Sequence, residues 1–181
     1  MPLPVTITLF TFMLACCAID LRTRRIPNAL SGVAALTGLG LNAAYYGAAG
    51  LAWSLCGVLV MVAVLLAPFA LGGLGAGDVK MMAAVGAFLG PRLAILCLIA
   101  GMALGGVVMA MHLVRVGRLG EKLAALKAMI FVATVSRSVA PLRMTADDAG
   151  AISLPYSIPL GLGTAGVVVA TALHHSTSLS F

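Results

Sequence analysis

The chain has 181 residues, 62% of them hydrophobic and only 9% charged, with a mean hydropathy of +1.14. A soluble globule of this size has too much surface for its volume to hide so much hydrocarbon. Disorder requires the opposite composition, low hydrophobicity with high net charge. The protein is therefore solvated mainly by lipid. At about 20 apolar residues per crossing, six helices use about 120 residues, and one integral-membrane domain over residues 1–181 is expected.

In chain order, apolar stretches run over residues 3–19, 29–49, 51–71, 79–89, 93–114 and 154–173. They predict an all-α polytopic membrane protein with six transmembrane helices. The stretches are apolar on every side rather than at every second residue, so they do not fit barrel strands. Helices are then the way to satisfy the backbone in lipid. The fourth stretch is too short to cross about 30 Å of hydrocarbon unaided. It must lie among other helices, extend beyond its apolar core, or sit where the bilayer is thinned. Gly86 and Gly90, and again Gly101 and Gly105, have the small-xxx-small spacing that lets helices approach closely.

The cations set the orientation. Arg22, Arg24 and Arg25 follow the first stretch, Lys80 opens the fourth, and Arg115, Arg118, Lys122, Lys127, Arg137 and Arg143 lie between the fifth and sixth. With six crossings all of these share one side and only Arg92 lies opposite. The positive-inside rule makes the shared side cytoplasmic and puts both termini outside. The net charge of +6 then reflects orientation and contact with anionic lipid heads rather than nucleic-acid binding. The long connection 115–153 is cytoplasmic, and its apolar part, 123–135, is read as an interfacial helix. If that part instead forms a seventh span, the C-terminus moves inside.

The N-terminus has no basic region of the kind that opens a secretory signal, so no cleavage is expected there. Cys16, Cys17, Cys56 and Cys97 lie in apolar stretches without a CxxC pair; they read as small core residues, not metal ligands or disulfides. Tyr45, Tyr46 and Trp53 suit an interfacial aromatic belt. His112 suits the interface, and His174 and His175 fall in the outer tail.

Five acids exist: Asp20, Asp78, Glu121, Asp147 and Asp148. The last three lie in the polar connection. Asp20 and Asp78 abut apolar stretches, where ionisable groups are costly and commonly functional, and the topology puts both at cytoplasmic helix ends. Each has a plainer reading. Asp20 can pair with Arg24, four residues on, and Asp78 can cap a helix after a glycine loop. The loop Gly72-Gly73-Leu74-Gly75-Ala76-Gly77 permits another chain to approach its backbone closely. It lacks the GK[ST] of a phosphate loop and the preceding strand of a dinucleotide fold. Two carboxylates in one hydrated pocket share a proton, because close like charges resist joint ionisation. The ionised partner activates water and the protonated one donates to the scissile carbonyl or amine. This chemistry needs no metal, cofactor or nucleophilic Ser or Cys. Intramembrane acids equally fit a small cation- or proton-coupled transporter or solute-binding subunit. The glycine loop and the basic turn after Asp20 favour peptide access.

The run Asp20-Leu21-Arg22-Thr23-Arg24-Arg25-Ile26-Pro27-Asn28, with Gly75-Ala76-Gly77-Asp78-Val79-Lys80 and the stretch 81–90 after it, resembles the type IV prepilin peptidases, membrane aspartic proteases of the GxGD type. Leu154-Pro155-Tyr156-Ser157-Ile158-Pro159-Leu160 is similar to the PYxIP element of the family's short members. The resemblance spans roughly residues 10–110 and that last element. It implies Asp20 and Asp78 as the catalytic pair, and an endopeptidase that removes the basic leader of a prepilin or pseudopilin at the cytoplasmic face of the bacterial inner membrane. It implies no cofactor. The chain starts almost at the first catalytic span, so peptidase activity without the family's N-methyltransferase is expected, as in the short enzymes serving Flp pili of tight-adherence systems.

Around the pair, Gly75 and Gly77 are expected to shape the site, with Pro27 in the first turn of the second helix beside Asp20. Arg24 is placed next to Asp20, and Lys80 either tunes the pair's charge or snorkels to headgroups. The partners expected are the pilin substrate and membrane lipid; the sequence leaves the oligomeric state open.

Overall fold

The computed structural model describes residues 2–117 and 156–177, with 119, 120, 124 and 127 besides, and side chains as far as residue 173. Most of the connection 115–153, including Asp147, Asp148 and the interfacial helix expected there, lies outside the described residues. So do the side chains of His174 and His175.

The described residues are all-helical: α1 (Leu3–Thr23), α2 (Asn28–Ala70), α3 (Ala76–Arg115) and α4 (Ser157–Thr177). Helices α1, α2 and α3 are each long and apolar enough to cross a membrane, and Ser157–Leu173 forms a shorter apolar stretch.

Two of the predicted boundaries appear as breaks inside long helices. Gly47 interrupts α2 with φ 63° and ψ −148°, and Gly90 interrupts α3 with φ 71° and ψ 178°. Both angles suit glycine far better than any residue with a Cβ. The contacts show that the chain reverses at each break. In a continuous helix Gly38 and Gly57 would stand about 28 Å apart. Instead both lie on one short stretch of α3: a Cβ on Gly38 would be 3.0 Å from the Ala87 carbonyl carbon, and one on Gly57 would be 2.8 Å from that of Gly86. The buried faces follow the reversal. Ser31, Ala34, Gly38 and Asn42 form one stripe of α2, and Gly50, Ser54, Gly57, Met61 and Leu65 form the other. In each, the spacing of three and four residues gives one helix face.

The first limb of α3 occupies the centre. Met81, Met82 and Ala84 through Gly90 are all buried. At 1.5 Å per residue the limb 76–89 is about 21 Å long, so its short length is accommodated by neighbouring helices on every side. Its far end is held by Asn42, whose amide nitrogen donates to the carbonyls of Ala87 at 3.0 Å and Phe88 at 3.1 Å. Pro91 has no N–H to offer Ala87, so Asn42 replaces a helix bond that the sequence forbids.

The second limb of α3 packs on α4. A Cβ on Gly101 would sit 2.7 Å from the Leu160 Cα, and one on Gly163 would sit 2.6 Å from the Gly101 Cα. The small-xxx-small glycines thus serve close backbone packing: Gly86 against Gly57, Gly90 under the Trp53 indole, and Gly101 and Gly105 against Leu160 and Pro159.

Gly57→Ala forces two backbones apart, and overpacking of this kind costs about 1–3 kcal/mol. The variant should melt at a lower temperature in detergent than the parent. Gly32→Ala, where nothing lies within 4 Å of the added atom, should melt at or above the parent temperature.

Candidate functional site

Asp20 continues the buried stripe of α1. Val5, Leu9, Phe12, Met13, Cys16 and Asp20 are the buried residues of this helix, and their spacing keeps them on one face. The carboxylate therefore turns inward and is only 8% exposed. Helix α1 stops one turn later. Arg24 takes a left-handed conformation, φ 51°, and its backbone N–H donates to the Asp20 carbonyl. The Arg24 side chain is exposed, so this residue meets Asp20 as a helix cap rather than as an ion-pair partner.

Asp78 arrives from the opposite direction. The end of α2 is closed by the glycine loop, whose Gly72 and Gly73 N–H groups donate to the carbonyls of Phe69 and Pro68, each at 3.0 Å. Gly75 is the N-cap of α3, and Asp78 stands in its first turn. The reading of Asp78 as the capping residue is thus corrected by three positions. Its carboxylate instead reaches back to the Gly75 backbone N–H, as the third helical residue does in a capping box. A negative charge there also complements the helix dipole. A Cβ on Gly75 would lie 3.2 Å from Asp78 Oδ2, so any side chain at 75 would crowd the carboxylate.

Asp20 and Asp78, far apart in sequence, are close enough for the charge of one to act on the other. The connection between α1 and α2 packs against the start of α3. Ile26 is buried and packs on Gly77, where a Cβ would stand 3.4 Å from Ile26 Cγ1. Pro27 is the N-cap of α2, one position before the first turn expected for it, and is exposed. Lys80 is also exposed, and its Nζ donates to Asn28 Oδ1 at 2.7 Å. It clasps the start of α3 to the start of α2.

A third group in this cluster had no assigned role in the sequence. Ser157, the first residue of α4 and fully buried, donates its hydroxyl to Asp20 Oδ2 at 2.6 Å. Cys17, one turn before Asp20, donates its thiol to the Ser157 carbonyl at 3.4 Å. The only available signal was the placement of Ser157 inside the PYxIP-like element; no spacing rule connects residue 157 to residue 20. Among the described residues no group of three or more His, Cys, Asp or Glu is arranged to hold a metal ion. A buried, hydrogen-bonded carboxylate beside a second, half-buried one is an arrangement suited to acid–base chemistry.

Comparison with known families gives a match to part of the chain. Residues 7–110, more than half of the chain, fit the model described as the type IV leader peptidase family. The matched region contains Asp20 and Asp78 and stops short of Ser157. No curated protein and no solved structure matches the chain.

If the Lys80–Asn28 clasp orders the two helix starts, Lys80→Met and Asn28→Ala should each lower stability by about 0.5–1.5 kcal/mol. The double variant should lose no more than the larger single loss, as thermal melting in detergent would show.

Proposed function

The chain belongs to the type IV leader peptidase family, and from that premise we propose that it is an aspartic endopeptidase with Asp20 and Asp78 as its catalytic pair. The observation that carries this reading is that Asp20 and Asp78, from distant parts of the chain, lie within electrostatic reach of each other. One carboxylate, ionised, takes a proton from water as the oxygen attacks a peptide carbonyl. The other, protonated, donates to the carbonyl oxygen. The proton taken from water then passes to the departing amine, and a hydroxyl of the tetrahedral intermediate returns its proton to the second acid as the new carboxyl group forms. The protons belong to the pair, because two interacting acids titrate as a unit. Gly75 keeps side-chain bulk away from Asp78, and Gly77 leaves room for the packing of Ile26.

The substrate of this reading is a prepilin or pseudopilin, with a short basic leader joined to a hydrophobic helix. A helix of that kind lying in the bilayer presents its cleavage junction at the membrane surface. Both acids stand at helix ends rather than mid-span, which suits such a junction. We read the reversals at Gly47 and Gly90 as turns between crossings. The four helices then make six crossings, with the site on the cytoplasmic side of the inner membrane and Arg92 outside.

Asp20→Asn and Asp78→Asn should each abolish leader removal, with a loss of at least about 100-fold, when the chain is co-expressed with a candidate prepilin and processing is followed by gel shift. Both variants should insert normally. Processing by either one defeats the catalytic assignment, and substrate-coupled ion flux without cleavage would point to a transporter. For the topology, Arg92→Cys should react with a membrane-impermeant maleimide in intact spheroplasts, whereas Arg22→Cys should react only after the inner membrane is opened. The reverse pattern would invert the orientation.

A further inference from the structure

The bond between Ser157 and Asp20 has chemical consequences beyond packing. Ser157 has lost all access to solvent, and its hydroxyl proton is committed to Asp20 Oδ2 at 2.6 Å. A hydroxyl so enclosed does not meet a substrate and is not the nucleophile. Its effect is on the carboxylate. A bond to one oxygen fixes the side-chain torsion of Asp20 and leaves the second oxygen for water or for Asp78. The donor is itself held. The Ser157 carbonyl accepts from Cys17 Sγ at 3.4 Å, and a Cβ on Gly161, one turn along α4, would lie 2.9 Å from the same sulfur. Residues 17 and 20 of α1 thus grip the first residue of α4 at two points, and a glycine makes room for the grip.

We propose that Ser157 is a positioning residue for Asp20, so that α4, outside the family-matched region, completes the reactive pair. This rests on the peptidase reading of Asp20 and Asp78. Catalysis by acid–base groups is sensitive to placement, and an error of about 1 Å can cost about 100-fold in rate. Loss of one orienting bond should therefore appear in the chemical step and leave substrate binding nearly unchanged.

The test uses the full chain in detergent with a prepilin substrate, measuring kcat and KM separately. Ser157→Ala removes one atom and should lower kcat about tenfold while KM stays within about twofold. Ser157→Thr restores a hydroxyl and should recover most of that loss. If the alanine variant does not elute as a folded protein, Ser157→Cys replaces it; it keeps the volume, weakens the donor and should show the same fall in kcat. Parent-like kcat in the alanine or cysteine variant overturns the proposal. So does equal impairment of the alanine and threonine variants, which would mean that packing matters and the hydroxyl does not, and so does a change confined to KM. If Asp20→Asn and Asp78→Asn abolish cleavage while Ser157→Ala is fully active, the positioning role alone fails. If the aspartate variants still cleave, the peptidase assignment itself fails.

Discussion

A carboxylate turned inward at the end of an apolar helix is the constraint around which this site is built. Asp20 falls on the same face of α1 as Leu9, Phe12 and Cys16, so the packing that buries the helix also buries the acid. Burying such a group without a partner is costly. Ser157 from α4 supplies a short hydrogen bond to Asp20, and Asp78 supplies a second acid within electrostatic reach. Three helix ends are thereby fixed relative to one another. The bond to Asp20 and the Cys17 bond to the Ser157 carbonyl together hold the start of α4 at the end of α1.

The middle of the structure answers a different constraint, that of a central helix limb too short to span a bilayer alone. Its backbone is approached closely by both limbs of α2, and glycines on each side of the contact make this possible. At one end the limb begins with Asp78 in its first turn, and at the other it ends at Gly90 and Pro91. Asn42 satisfies the carbonyls of Ala87 and Phe88 that this ending exposes. In lipid such groups have no water to turn to, so a single amide from α2 does work that solvent would do elsewhere. The limb that carries Asp78 is thus held rigidly at its remote end and by its flanks. This is the support that a reactive carboxylate needs.

The surroundings of the two acids divide into groups that touch them and groups that hold the frame. Gly75, by its absence of a side chain, leaves room for the Asp78 carboxylate, and Ser157 bonds directly to Asp20. Lys80, Asn28 and Ile26 act on the connections: a clasp between the starts of α2 and α3, and an apolar plug over Gly77. The cation nearest Asp78 in sequence is therefore spent on an amide oxygen of the frame. Arg24, although four residues from Asp20, serves the backbone of its helix.

Composition and hydropathy by themselves determined that the chain is helical and lipid-solvated, because no other arrangement hides so much hydrocarbon and satisfies the backbone. The scarcity of acids singled out Asp20 and Asp78, and the motifs around them carried the family. The breaks at Gly47 and Gly90 fell close to where apolar stretches were divided, since glycine and proline are local signals. What only the tertiary structure decided was which distant groups meet. Ser157 and Cys17 are ordinary residues in sequence, and the bonds of Ser157 with Asp20 and with Cys17 depend on how α4 docks against α1. Likewise the plainer reading of Asp78 as a cap is open in sequence, because a helix start is uncertain by a few residues in a glycine-rich stretch, and the structure gives the cap to Gly75. Local sequence fixes periodicity and turn chemistry, whereas long-range contacts depend on the packing of whole helices, which no short stretch encodes.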